Sequence, residues 1–206
     1  MKLLIVDDHV VVRAGVRRLF AALPGTTVFE AGSTHEALSL YRSEMPDVLL
    51  LDLNLPNSSG FELLRRLLIE NRQVKVVVLS MHAEPIYVSR TLNAGARGYV
   101  SKTASADELI AAVREVAAGG RYVEREIAAQ LVVSQYGGVN PLEKLTTREV
   151  DIVRLLGEGK NFVAIASALG ITYKTVANAC SIIKGKLGVE RTSDLVRLTY
   201  QMQERQ

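Results

Sequence analysis

DVLLLD, residues 47–52, places four apolar residues between two aspartates, with neither a helical repeat nor an alternating one. A run of this kind reads as a short strand buried on both faces, as in parallel sheets. Working outward, further strand segments are predicted at about 2–7 (KLLIVD), 27–31 (TVFEA), 75–80 (KVVVLS) and 97–101 (RGYVS). Helical spacing fills the gaps: Val12, Val16, Leu19, Phe20 and Leu23 share one stripe, and Leu109, Ala112, Val113 and Val116 another. Asp107 and Glu108 suit the first turn of that later helix, and Gly119-Gly120 its end. Strand and helix in alternation predict an α/β domain with a doubly wound, five-stranded parallel sheet.

Four of these segments end on polar residues: Asp7 and Asp8, Asp52, Ser80, and Lys102 just past GYV. Ligand chemistry in such sheets collects outside the carboxyl ends of the strands. One Asp at a strand end is commonly a helix cap or turn former; five such groups on one rim make a site. Carboxylates about 5 Å apart repel by roughly 3 kcal/mol per pair at an effective dielectric of 20, so positive charge must sit among them. Lys102 supplies one charge, and the oxygen-rich remainder suits a hard divalent cation such as Mg2+. A carboxylate there can also act as a nucleophile and form an aspartyl phosphate.

The C-terminal part changes character. Net charge over residues 1–144 is zero, and the whole +3 lies in 145–206, in nine Lys/Arg against six Asp/Glu. From Leu145, Thr146 or Thr147 followed by Arg148-Glu149 opens a helix through Leu156, which Gly157 and Gly159 end. Helices over about 161–168, 172–187 and 192–203 follow, and the short turn at 169–171 makes the second and third a helix-turn-helix candidate. In the third helix Val176, Cys180, Ile183 and Leu187 form the buried stripe. Lys174, Ala177, Asn178, Ser181 and Gly185 take the opposite face, where Asn can read adenine, Lys guanine and Ser either. Lys184 and Lys186 lie toward the flanks, placed for phosphates. Leu195, Leu198 and Met202 give the last helix an apolar stripe.

At 206 residues and 48% hydrophobic content, the chain supports packed cores in one or two domains. No apolar stretch approaches the 18 residues of a membrane span, and MKLLIVDD has too short an apolar run for a signal peptide. The single Cys180 excludes an internal disulfide and suits the cytoplasm, where no membrane partner is expected.

The rim residues together resemble the receiver domain of two-component response regulators, over residues 1 to about 118. LTTREVDIVRLLGEGKNFVAIASALGITYKTVANACSIIKGKLGV is similar to the LuxR-type helix-turn-helix of the NarL/FixJ class. The resemblance implies a flavodoxin-like receiver at 1–118, a linker with a short helix at 119–144, and a small all-α, four-helix DNA-binding domain at 145–206. It makes Asp52 the phosphoacceptor, phosphorylated by a sensor histidine kinase. Asp7, Asp8, Asp52 and the backbone carbonyl of Asn54 would hold Mg2+. Ser80 and Lys102 would hold the phosphoryl group, and Tyr99 would be the switch aromatic that turns inward as Ser80 moves. Phosphorylation would drive homodimerisation and promoter binding through Lys160, Tyr173, Lys174, Thr175, Asn178, Ser181, Lys184 and Lys186, with RNA polymerase a further candidate partner.

Four departures from that pattern stand in the recognition segment: Ala177, Ala179 and Gly185, where basic residues or histidine are usual, and Ile182, apolar where the pattern is polar. Thr103 stands where Pro often follows the lysine. An aspartate-nucleophile phosphohydrolase is disfavoured by Asn54, since such enzymes carry a second Asp there; only phosphoryl transfer to the chain itself and slow autodephosphorylation are expected, not turnover as an enzyme. A phosphate-responsive adaptor that no longer reads DNA has only Ala177, Ala179 and Gly185 in its support.

Overall fold

The computed structural model describes residues 1–55, 58–136 and 141–203. They form two compact units, Met1–Leu131 and Val132–Gln206.

The first unit runs β1 (Lys2–Val6), α1 (Val10–Ala21), β2 (Thr27–Ala31), α2 (Thr34–Glu44), β3 (Val48–Leu51) and a small hairpin of β4 (Asn54–Leu55) and β5 (Ser58–Ser59). It continues through α3 (Gly60–Glu70), β6 (Val76–Ser80), α4 (Pro85–Ala94), β7 (Gly98–Ser101), α5 (Ala106–Ala117), β8 (Tyr122–Val123) and the start of α6 (Arg125–Tyr136). The main sheet has the order β2-β1-β3-β6-β7-β8, parallel throughout. Side-chain alternation explains the apolar runs. Leu4, Val6, Leu49, Leu51, Val76 and Val78 enter one core with Leu63, Leu64 and Leu67 of α3. Leu3, Ile5, Val48, Leu50, Val77 and Leu79 enter the other with Phe20 of α1 and Val113 of α5. Burial on both faces removes the polar alternation of a half-exposed strand.

The sheet has six strands, not the five expected. The sixth, β8, lies within the segment read from sequence as connector, and its register sets Gly98 against Tyr122 and Tyr99 against Val123. The Tyr122 amide donates to the Arg97 carbonyl at 3.0 Å and the Glu124 amide to the Tyr99 carbonyl at 3.1 Å. Two residues are too few to carry a periodicity, so the strand has no sequence signature. Ile127 of α6 is buried in the same core as Tyr99.

The second unit contains a 3-10 turn (Pro141–Lys144), α7 (Thr147–Gly157), α8 (Phe162–Leu169), α9 (Tyr173–Leu187) and α10 (Thr192–Gln203). Thr146 is the N-cap of α7, in a capping box with Glu149, while Asn161 caps α8 and Thr172 caps α9. Gly170 closes α8 at φ +62°, a left-handed conformation that glycine adopts without strain. The chain then bends by 106° into α9, within the range of a helix-turn-helix. Ile152, Val153, Leu156, Ile165, Val176, Cys180, Ile183 and Leu195 are buried. The side chains of Leu198 and Met202, and the residues 137–140 of the YGGVNP break, lie outside the described residues. No single helix among the described residues is long and apolar enough to cross a membrane.

Candidate functional site

The carboxyl ends of β1, β3, β6 and β7 converge. Asp7 follows β1 and is 1% exposed; Asp52 follows β3 and is also 1% exposed; Ser80 ends β6 and is fully buried. Lys102, just past β7, sends its Nζ to within 2.6 Å of Asp52 Oδ2 and 2.7 Å of Asp7 Oδ2. Burial pushes the Asp52 carboxyl above its ordinary range, against the pull of Lys102 and of the Asn54 amide, which donates to Oδ1 at 3.0 Å. Burial works against the Lys102 ammonium as well, but its hydrogen bonds and charge pairing with Asp52 and Asp7 outweigh that and hold it above the usual lysine value. The site therefore holds a cation between two buried anions.

Gly60 makes this geometry accessible. A Cβ there would lie 2.1 Å from the Asp52 carbonyl oxygen and 2.7 Å from Leu53 Cα, both backbone atoms. The start of α3 can approach the Asp52 turn only without a side chain at position 60.

Beside the site, Ser80 Oγ accepts from the His82 amide at 3.1 Å. Tyr99 is fully buried, and its hydroxyl donates to the His82 carbonyl at 2.5 Å. Burial pushes the Tyr99 phenol well up, opposed by a hydrogen bond with Ser80. The His82 ring stacks on Tyr87 with centroids 4.6 Å apart and meets Asn54 Nδ2 at 3.3 Å. Past β7, Thr103 uses the amide that a proline would lack, donating to Ser101 Oγ at 3.1 Å.

In the second unit, Tyr173, Lys174, Thr175, Asn178 and Ser181 are exposed on α9, and of these Lys174, Asn178 and Ser181 lie opposite buried Val176, Cys180 and Ile183. The Tyr173 ring sits 5.8 Å from that of Phe162, and the Thr175 hydroxyl is 2.9 Å from that of Thr172 in the α9 cap. Lys184 is half-buried. Lys160 pairs with Glu158 at 2.9 Å on the surface. Lys186 behaves differently from a free flanking cation: its Nζ donates to both Glu149 oxygens at 2.9 and 2.7 Å. Much of its charge is thereby committed to fixing α9 against the first turn of α7.

Residues 3–114 match the family model described as response regulator receiver domain, and 143–199 that of bacterial regulatory proteins, luxR family. The chain is a two-component response regulator with a luxR-family output domain. Among its relatives, the transcriptional activator protein ExaE of Pseudomonas putida is 38% identical over 98% of this chain and 96% of its own length. The response regulator UvrY of Escherichia coli K12 is 32% identical over 96% and 93%. A solved luxR-family two-component response regulator from Aurantimonas is 34% identical, with a TM-score of 0.63 over 66% of this chain and 97% of that one.

Two receiver features escaped the sequence reading. His9 places Nδ1 2.8 Å from Asp8 Oδ1 and 3.1 Å from Asp7 Oδ1, and donor atoms of Asp7, Asp8, His9 and Asp52 all lie within 4.8 Å of one another. Asp8 Oδ1 is buried, and its close partner is the His9 ring at 2.8 Å. Three carboxylates gathered with an imidazole in this way fit a divalent metal ion. Glu124 is the second feature: it is 8% exposed, and its Oε2 accepts from the Ser101 amide at 2.6 Å, one residue before Lys102. The position of Asp8-His9 after a strand could have signalled the first; nothing in the pattern around Glu124 signals the second.

Proposed function

We propose that this response regulator accepts a phosphoryl group on Asp52 from a sensor histidine kinase and, once phosphorylated, dimerises and binds promoter DNA through α9. The observation that carries the reading is Lys102 Nζ, 2.6 Å from Asp52 Oδ2 and 2.7 Å from Asp7 Oδ2, in a cluster of carboxylates at the strand ends. An Asp52 oxygen attacks phosphorus, the bond to the donor nitrogen breaks with its electron pair going to that nitrogen, and the imidazole, already protonated on its other nitrogen, leaves neutral. Asp7, Asp8, Asp52 and the Asn54 carbonyl would hold Mg2+, which would supply positive charge to offset that of the phosphoryl oxygens. Lys102 pairs with one phosphoryl oxygen and Ser80 donates its hydroxyl to another.

Moving Ser80 disturbs the His82 amide that it now holds, and with it the His82 carbonyl that accepts from the Tyr99 hydroxyl. The aspartyl phosphate thus acts as a ligand that favours one arrangement of β6 and β7 over another. At the output end, Lys174, Asn178 and Ser181 present donors to base edges, with Tyr173, Thr175, Lys160 and Lys184 toward the backbone. A twofold dimer would read half-sites about one helical turn apart. The regulator acts in the cytoplasm, where kinase, promoter and RNA polymerase meet.

The test is DNA binding and oligomeric state of wild type and Asp52→Asn, with and without acetyl phosphate and Mg2+. Binding that depends on the donor, weakens steeply with salt and disappears in Asp52→Asn is the expected result. Equal binding in all conditions removes the switch and leaves the DNA reading. Phosphorylated chain that binds no DNA replaces the transcription reading with that of an adaptor.

A further inference from the structure

The exposed large hydrophobic residues of α7, α8 and α9 are not scattered. Among the described residues they are Val163 on α8, and Tyr173 and Ile182 on α9, exposed by 66%, 57% and 54%. All three lie on the helix-turn-helix pair. Val163 and Tyr173 sit near the helix starts, where Tyr173 already leans on the Phe162 ring. Ile182 lies well along α9.

Helical geometry fixes what surrounds Ile182. Val176, Cys180 and Ile183 are buried, so α9 cannot roll, and Ile182 stands one turn beyond Asn178 on the same side. By the same spacing its other neighbours are exposed Gly185 and half-buried Ala179 and Lys186, with the exposed Ser181 beside it along the chain. A Cβ added at Gly185 would meet nothing within 4 Å. The face is thus a lone branched aliphatic side chain among small and hydrogen-bonding ones. A protein partner that buries an isoleucine needs a wider apolar patch around it. The major groove offers the matching feature: a polar floor with one apolar group, the C5 methyl of thymine.

We propose that Ile182 is a specificity residue that packs against a thymine methyl in or next to the base pair read by Asn178. Small residues at 177, 181 and 185 let the helix come close enough for that contact. The inference rests on the reading that α9 enters the major groove, and it deepens that reading by naming one base of the half-site. It also gives the departures at Ala177, Ile182 and Gly185 a common meaning, a groove read by shape and methyl contact in place of basic side chains.

The experiment starts from full-length protein with acetyl phosphate and Mg2+, used to select duplexes from a random-sequence pool. In the selected site each thymine is then replaced in turn by deoxyuridine, which removes only the methyl group. Wild type should lose affinity about fourfold at one thymine per half-site, the fold-change of about 0.8 kcal/mol for one buried methyl-sized group. Ile182→Ala should bind the thymine duplex more weakly by a similar or larger factor and be indifferent to deoxyuridine at that position. Ile182→Val, which keeps part of the aliphatic surface, should fall between. A site at which wild type tolerates every deoxyuridine, or at which Ile182→Ala stays as sensitive as wild type, overturns the proposal and leaves DNA reading by α9 intact. A pool that yields no preferred sequence overturns the DNA reading and this proposal with it.

Discussion

Lys186 separates a structural role from a DNA-contacting one, and replacing it with Ala should show which dominates. Its Nζ donates to both oxygens of Glu149, at 2.9 and 2.7 Å. The Glu149 side chain is 11% exposed and that of Lys186 34%. The pair is half screened, so its loss costs less than a buried charged hydrogen bond and more than a surface pair, about 1–2 kcal/mol. Glu149→Ala removes more, because Glu149 Oε2 also accepts from the Thr146 amide at 2.6 Å and completes the capping box; the sum is about 2–4 kcal/mol. Hydrogen exchange read on peptides of α7 and α9 in the full-length protein should therefore quicken by roughly five- to thirtyfold in Lys186→Ala. Burial pushes the Glu149 carboxyl up, but Lys186 and Thr146 outweigh it and hold it below the ordinary value of 4.5. A lowered carboxyl value means the stabilisation is complete above about pH 4.5 and is lost as pH falls through the folded-state value. Wild type and Lys186→Ala should accordingly converge in acid. If Lys186 instead serves a phosphate, its removal leaves exchange unchanged and lowers the salt slope of DNA binding by about one. That result would refute the structural assignment.

Two further outcomes follow from the receiver. Gly60→Ala forces a Cβ to 2.1 Å from the Asp52 carbonyl oxygen, so either α3 or the Asp52 turn must shift; phosphorylation by acetyl phosphate should slow at least tenfold, and a wild-type rate in a folded variant would show that the approach is not required. Glu124→Ala leaves the Ser101 amide without its acceptor at a buried position, costing about 1–3 kcal/mol, while Glu124→Gln keeps an acceptor and should recover part of it; thermal melts that do not distinguish the two variants would contradict the assigned bond.

What was legible in the sequence was whatever a period or a strand end could carry. The runs KLLIV, VLLL and VVVL have no polar alternation because helices cover both sheet faces, and that burial also fixes Asp7, Asp52, Ser80 and Lys102 at one rim. The stripe Val176, Cys180 and Ile183 fixed the open face of α9 in the same way, while Leu187, expected at its end, is only half-buried in the last turn. Pairings between residues distant in sequence left no such trace. Lys186 and Glu149 are 37 residues apart, and a lysine beside a recognition segment looks the same whether it meets a carboxylate or a phosphate.

The least legible part is the one that bears most on the switch. The strand β8 and Glu124 fall in a stretch without periodicity, yet they bind the backbone of β7 at Arg97, Tyr99 and Ser101, the strand that carries Tyr99 and leads into Lys102. The Glu124 carbonyl accepts from the Ala128 amide at 2.8 Å, so the same residue anchors the first turn of α6, the helix that continues past Leu131 into the second unit's residues. A displacement of β7 on phosphorylation cannot leave that anchor untouched, because a buried carboxylate must either follow the Ser101 amide or lose its hydrogen bond. Interpretation of the Asp52→Asn experiment should therefore include exchange at the amides of 122–128. Protection there that changes with acetyl phosphate in wild type and not in Asp52→Asn ties the connector to the phosphoryl site, and protection that never changes confines the switch to the other faces of the receiver.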